Sequence, residues 1–172
     1  MQDLGLKKGD IVGLILPNCL EYPVLVQGCL YLGITVTPIN PGYTPHEISR
    51  QLKASAATII FGHSSLGDKL KETLKLCPAV TKTVIVGDKV NDNNDFLHWN
   101  DFLTSSSLSM IPDPAKVDVK KDVAVLPFSS GTTGTKTALF LQFINCSIPR
   151  CSQRSNVDPV QPCGWYTRSK LS

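Results

Sequence analysis

A chain of 172 residues with 42% hydrophobic and 18% charged side chains is long enough to bury a core and too apolar to be a disordered polymer. Its net charge of +3 is unevenly placed: residues 1–135 carry 12 Lys/Arg against 13 Asp/Glu, and residues 136–172 carry 5 against 1. The basic residues of that second part (Lys136, Arg150, Arg154, Arg168, Lys170) are scattered rather than clustered, which argues against a nucleic-acid-binding arm.

Met1–Asp10 is polar and charged, unlike a secretory signal. Ile11–Leu16 is a short apolar run after Gly9-Asp10 and predicts a buried strand. Asn18 and Glu21 have the spacing of a capping pair, opening a helix of about fifteen residues that Gly33 closes. The apolar stretch Tyr22–Val36 is interrupted by Gln27, Gly28 and Gly33 and falls short of the roughly 20 residues a bilayer needs, so it reads as a buried helix. Ile34–Ile39 alternates β-branched residues and predicts the next strand. Asn40-Pro41-Gly42 turns the chain, and Thr44-Pro45-His46-Glu47 is a complete helix start with N-cap, proline at N1 and Glu at N3. Ile48, Leu52 and Ala56 give that helix its inward face.

Thr58–Phe61 predicts a strand, Ser65–Leu76 a helix ended by Pro78, and Thr83–Val86 another strand. Asp88–Asp95 is a polar loop whose aspartates match no calcium spacing. Phe96–Leu103 reads as a short aromatic helix, Thr104–Lys121 as a Ser/Pro-rich connection, and Asp122–Phe128 as a strand. Strands alternating with helices predict an α/β fold with a mainly parallel sheet flanked by helices. His46, His63 and His98 fall in three different elements and read as unrelated surface or boundary residues. Cys19, Cys29 and Cys77 in the body, with Cys146, Cys151 and Cys163 in the tail, read as free thiols of a reducing compartment, the cytoplasm. Three tail cysteines without a histidine fall short of a four-ligand zinc set, so no metal site is expected.

Asp122–Phe128 runs straight into Ser129-Ser130-Gly131-Thr132-Thr133-Gly134-Thr135-Lys136. Glycines let backbone approach a ligand closely, while N–H groups and the hydroxyls of Ser129, Ser130, Thr132 and Thr133 donate to phosphate oxygens. Lys136 adds a compact positive charge. An exposed Ser/Thr/Gly turn is the bland alternative. A Walker A loop is excluded, because Lys136 stands where the second glycine of G-x-x-x-x-G-K-[ST] belongs.

The stretch resembles the signature of the adenylate-forming (AMP-binding) superfamily. Gly5–Asp10 (GLKKGD), Leu16–Val24 (LPNCLEYPV), Thr37–Glu47 (TPINPGYTPHE) and Asp122–Gly134 (DVAVLPFSSGTTG) occur in the order seen in 4-coumarate–CoA ligases and luciferase-like acyl-CoA ligases. The resemblance covers about Asp3 to Thr135 and implies a partial N-terminal domain, residues 1–135, ending in the phosphate loop. It also implies an activity for the parent enzyme: a carboxylic acid and Mg-ATP give an acyl-adenylate, which passes its acyl group to coenzyme A. Residue by residue, Ser129, Ser130, Gly131, Thr132 and Thr133 match the ATP-contacting loop and Gly134 shapes it. Lys136 is either the family's phosphate-contacting lysine shifted by one position or the first residue of unrelated sequence.

After Gly134 the family's x-P-K-G and its later Thr-His are missing. Thr137–Ile144 is apolar, and Asn145–Ser172 has neither helical nor strand periodicity, so residues 136–172 are expected to form a divergent, disordered tail. Loss of pattern inside the loop reads as a shifted frame or an alternative exon. The family's acid pocket, ribose-binding aspartate and catalytic lysine have no counterpart here. The expectation is therefore a ligase fragment that is inactive alone and binds ATP phosphates weakly at most. The alternative is a non-catalytic truncated isoform serving as an interaction module or simply degraded. No catalytic residue is assigned, and the protein partners are unknown. Ser169-Lys170-Leu171 spells the peroxisomal address of some luciferase-like ligases, but Ser172 follows it.

Overall fold

The computed structural model describes residues 4–88, 96–105, 113–129, 137–138 and 141–142. Within them the chain runs β1 (Ile11–Ile15), α1 (Glu21–Tyr31), β2 (Thr35–Pro38), α2 (Pro45–Ser55), β3 (Ile59–His63), a 3-10 turn (Ser64–Leu66) and α3 (Gly67–Leu76). It continues through β4 (Lys82–Val86), β5 (Leu97–His98), α4 (Trp99–Ser105), β6 (Val123–Val125), β7 (Phe128–Ser129), β8 (Thr137–Ala138) and β9 (Leu141–Gln142). The main sheet has the order β5-β4-β3-β1-β2-β6-β9, parallel throughout except for β9, which is antiparallel to β6. This is the mainly parallel, helix-flanked α/β architecture that the strand–helix alternation predicts.

Both faces of the sheet are covered, which is why its central strands read as nearly unbroken apolar runs. Val12, Leu14, Ile59, Phe61, Val84 and Val86 point to one side, where Leu25 and Cys29 of α1 join them, with Trp99 and Phe102 of α4 packed alongside. Phe61 and Trp99 meet edge to face, ring centroids 6.3 Å apart. Ile15, Ile60 and Ile85 point to the other side, against Ile48 and Leu52 of α2 and Leu70 of α3. Two strand glycines permit this second layer to sit close. A Cβ on Gly13 would stand 2.9 Å from Leu52 Cδ2, and one on Gly62 would collide with Leu70.

The start of α2 is as the sequence predicts. Thr44 Oγ1 accepts from the Glu47 N–H at 3.3 Å, the Glu47 carboxylate accepts from the Thr44 N–H at 3.0 Å, and Pro45 opens the helix. The inward face differs by one residue. Ile48 and Leu52 are buried, but Ala56 is the left-handed C-cap (φ 56°) and exposed, with Ser55 taking the buried position.

Other boundaries shift for physical reasons. The Asn18–Glu21 capping pair does not form: the N-cap is Leu20, in helical conformation and with no side-chain cap. The Cys19 carbonyl accepts from the Tyr22 N–H at 3.3 Å, so the chain is already turning where Asn18 was expected to cap it. The helix spans 11 residues rather than fifteen, and Gly33 (φ +68°) still ends its connection. The expected helix Phe96–Leu103 is preceded by strand β5, because Leu97 and His98 pair with Val84 and Ile85; two residues are too few to show an alternating pattern. The expected strand Asp122–Phe128 is broken. The Leu126 N–H is still held by the Val36 carbonyl at 2.8 Å, but Pro127 has no donor, and Phe128 pairs with Ala138 in a separate two-stranded sheet. Most of the Asp88–Asp95 loop and most of the expected disordered tail, 136–172, lie outside the described residues; of that tail, Thr137–Ala138 and Leu141–Gln142 are instead strands β8 and β9, paired with β7 and β6.

Candidate phosphate-loop site

Strand β6 delivers the hydroxyl-rich segment, and two threonines of β2 hold it. Thr35 Oγ1 donates to the Val123 carbonyl at 2.7 Å, and Thr37 Oγ1 donates to the Leu126 carbonyl at 2.9 Å. Leu126 therefore has both backbone groups engaged by β2. Gln51 of α2 stands behind this contact: its Nε2 donates to Thr37 Oγ1 at 3.3 Å and to the Pro38 carbonyl at 2.8 Å. Thr37 is fully buried and Gln51 nearly so, a setting in which polar groups need partners. Among the described residues, no buried side-chain nitrogen or oxygen lacks one.

Past Pro127, Phe128 and Ser129 run antiparallel to Ala138 and Thr137, so Ser129 and Thr137, which flank positions 130–136, are neighbours in space. Of the residues expected to contact phosphate, Ser129 lies on β7. Ser130, Gly131, Thr132, Thr133, Gly134 and Lys136 lie outside the described residues. The donor set itself fits a polyphosphate: hydroxyls, glycine N–H groups and a lysine, with no carboxylate between positions 129 and 136.

Upstream of β6 the chain is tied to the start of the molecule. Lys8 Nζ pairs with Asp122 Oδ2 at 2.7 Å and donates to the Lys116 carbonyl at 2.7 Å. The Lys8 ammonium, and then the Asp118 N–H, hold the Asp122 carboxyl below the usual carboxylate range. Gly33 is packed under this junction: a Cβ there would stand 2.9 Å from Lys8 Cγ and 3.1 Å from Ala115. A cavity of about 250 Å³ lies here, lined by Lys8, Gly33, Thr35, Asp122 and Val123. A larger one of about 680 Å³ lies between α3 and β5, with Lys71, Leu74, Lys75 and Phe96 on its walls. Both sit at amino ends of parallel strands, whereas open α/β sheets bind ligands outside the carboxyl ends, the end from which β6 leads to Ser129. Phe128 lines neither cavity.

The three histidines are placed in separate elements, His46 in the first turn of α2, His63 at the end of β3 and His98 on β5. His63 Nδ1 accepts from the Ser65 N–H at 3.2 Å and so caps the 3-10 turn. Cys29 and Cys77 are buried, Cys19 is half-buried, and all three are free thiols. Burial pushes the Cys29 thiol up to about 12, which makes it inert. No helix among the described residues is long and apolar enough to cross a membrane. Sequence reasoning missed Thr35, Thr37 and Gln51. The two threonines had a signal in Thr35-Val36-Thr37, where hydroxyls occupy alternate positions of an otherwise apolar buried strand; Gln51 had none.

The chain is thus an α/β protein with helices on both faces of a mainly parallel sheet, whose last parallel strand leads toward a Ser/Thr/Gly segment. The particular family follows from comparison: the AMP-binding enzyme profile matches residues 1–147, and the chain belongs to that family. A probable 4-coumarate–CoA ligase 2 of Dictyostelium discoideum is 33% identical over 144 residues, 78% of this chain and 26% of that protein. A 4-coumarate–CoA ligase 3 of Arabidopsis thaliana is 35% identical over 139 residues, 80% of this chain and 23% of that protein. Among solved structures, a long-chain-fatty-acid–CoA ligase of Archaeoglobus fulgidus superposes with a TM-score of 0.71 at 30% identity, covering 83% of this chain and 27% of its own. The chain thus spans about a quarter of the length of the ligases it matches.

Proposed function

We propose that this chain is the N-terminal part of an ATP-dependent acyl- or aryl-CoA ligase and contributes the phosphate-binding loop to its active site. The observation that carries the reading is the coincidence of the family match over 1–147 with a strand, β6, held on β2 as far as Leu126, just ahead of the strand β7 that carries Ser129. In the parent reaction a carboxylate oxygen attacks the α-phosphorus of ATP, pyrophosphate leaves, and the thiol of coenzyme A then displaces AMP from the acyl carbon. Magnesium bound with the ATP neutralises phosphate charge. The roles for this chain's own residues are to bind and orient phosphates: Ser129, Ser130, Thr132 and Thr133 through hydroxyls, Gly131 and Gly134 through backbone, Lys136 through charge.

The described residues hold no group assigned to adenine, ribose, acid or coenzyme A. A phosphate-binding loop does not by itself align a carboxylate for in-line attack, so the chain alone binds weakly and does not turn over. The cysteine pattern of the sequence supports the cytoplasm as its compartment. The test is a titration of ATP into isotope-labelled protein. Binding of millimolar strength, about 4 kcal/mol, should shift Gly131–Gly134, weaken with salt, and vanish in Thr132→Ala/Thr133→Ala. Pyrophosphate exchange into ATP should show no dependence on added aromatic or fatty acids. Micromolar binding indifferent to the double substitution would refute the phosphate-loop assignment, and acid-dependent exchange would refute the inactivity of the chain alone.

A further inference from the structure

We propose that Gln51, Thr37 and Thr35 form a buried clamp through which helix α2 sets the direction in which the chain leaves the sheet at Leu126 toward Ser129, and through it the response of the phosphate loop to ATP. They are positioning residues that act through Leu126. The functional arm of this inference rests on the phosphate-loop reading above; its structural arm does not.

Strand β6 needs such help. It has three residues, and its parallel ladder with β2 is registered at the single pair Val36–Val125. On its other edge, β9 pairs with a register shift between Val123 and Val125. The threonine hydroxyls supply the two additional tethers, one at each end of β6. At the loop end, Thr37 has one hydroxyl proton. Because Gln51 Nε2 donates to the same oxygen, that proton is directed at the Leu126 carbonyl. The amide orientation is set in turn by Pro38, whose carbonyl accepts the second N–H of Gln51. Exchanging amide oxygen and nitrogen would set two acceptors against each other.

Gln51 is itself fixed, since α2 is held by its capping box and by the burial of Ile48 and Leu52. Between Leu126 and β7 stands only Pro127, whose ring restricts φ. A change of tilt at Leu126 is therefore passed on to Phe128 and Ser129. Buried polar side chains in an apolar layer are costly unless bonded, and apolar residues at 37 and 51 would fill the same space without fixing a direction. Each bond in this chain from α2 through β2 to β6 specifies the next.

The experiment compares wild type with Thr37→Val, Thr37→Ser and Gln51→Met, using Ser55→Ala as a control that removes a buried α2 hydroxyl bonded only to its own helix. Two quantities are read: amide residual dipolar couplings at Phe128 and Ser129, and the slope of ATP-induced shifts at Gly131–Gly134. Thr37→Val and Gln51→Met should change the couplings at Phe128 and Ser129 while leaving those of β1 and β3 intact, and should lower the ATP slope about threefold or more. Thr37→Ser, which restores the hydroxyl, should return both to wild-type values, and Ser55→Ala should alter neither. If Thr37→Val does not fold, Gln51→Met, which retains the Thr37–Leu126 bond, carries the same comparison. Unchanged couplings in the folded variants, or a Thr37→Ser variant no better than Thr37→Val, would overturn the clamp. An absent ATP response in wild type would instead refute the phosphate-loop reading, with the couplings still deciding the clamp.

Discussion

Helices α1 and α2 have the same length, 11 residues each, and pack on opposite faces of one sheet, yet they are specified in different ways. Helix α2 carries its instructions locally. It has a reciprocal capping box, proline at its first position and a left-handed C-cap, and its apolar residues form one stripe with His46, Glu47, Arg50 and Lys53 outside. Helix α1 has no side-chain cap, a single charge in Glu21, and apolar residues all round. Leu25 and Cys29 are buried, while Leu20, Val24 and Tyr31 stand 88%, 58% and 43% exposed. A helix that is apolar on every side is suited to burial on every side. One helix is built to meet water and the other depends on what covers it.

The largest effect that sharpens this contrast lies in α1 and its N-cap residue Leu20. Leu25→Ala, at a position with no exposed surface, should destabilise by roughly 2–5 kcal/mol. Leu20→Ala, almost fully exposed, should fall within about 0.5 kcal/mol of wild type. Urea unfolding of the two variants side by side measures both. Comparable losses at the two positions would show that the outer face of α1 is packed in solution, and the contrast between the layers would fail.

A smaller effect is expected at the start of α2. Thr44→Ala removes the acceptor for the Glu47 N–H and the hydroxyl that bonds the Glu47 carboxylate at 3.0 Å, and should cost about 1 kcal/mol. Asn18→Ala, at the residue that mimics a cap in the sequence but makes none, should be neutral within about 0.5 kcal/mol. Thermal unfolding by circular dichroism reads the pair. A loss at Asn18 equal to that at Thr44 would mean that α1 is locally specified after all.

The same contrast explains which parts of the molecule were legible in the sequence. Thr44–Glu47 could be read to the residue because the bonds that start α2 join groups three residues apart. The start of α1 was misplaced because its N-cap, Leu20, has no side-chain bond to announce it, and the burial of Leu25 and Cys29 that seats the helix is a tertiary fact. Strand β5 was invisible for a related reason, since two residues take strand geometry only from Val84 and Ile85 beside them. At the candidate site, the donors Ser129–Lys136 announced themselves as a local cluster. The clamp behind them did not, because Gln51, Thr37 and Leu126 lie far apart along the chain and meet only after β2 and β6 have paired.

The smallest effect concerns the segment that seals the open end of the α1 layer. There the Ala115 N–H bonds the Tyr31 carbonyl at 2.9 Å, and Lys8 reaches both Lys116 and Asp122. Because Asp122 is held in its ionised form by Lys8 and by the Asp118 N–H at 2.8 Å, its folded pKa lies below that of the unfolded chain, about 3.9. The sign follows from linkage: the contribution is fully present above the unfolded value and is lost as pH falls through the folded one. Stability of wild type should therefore drop more steeply than that of Asp122→Asn as pH falls below about 5. The two should run parallel above that window. The pair is solvent-accessible, so the difference is modest and should shrink with added salt. Denaturation midpoints taken across the acid range, at low and high ionic strength, provide the measurement. A difference between the two proteins that is constant with pH would show that Asp122 serves by shape and backbone hydrogen bonding rather than by charge, and that Lys8 closes this end of the layer without it.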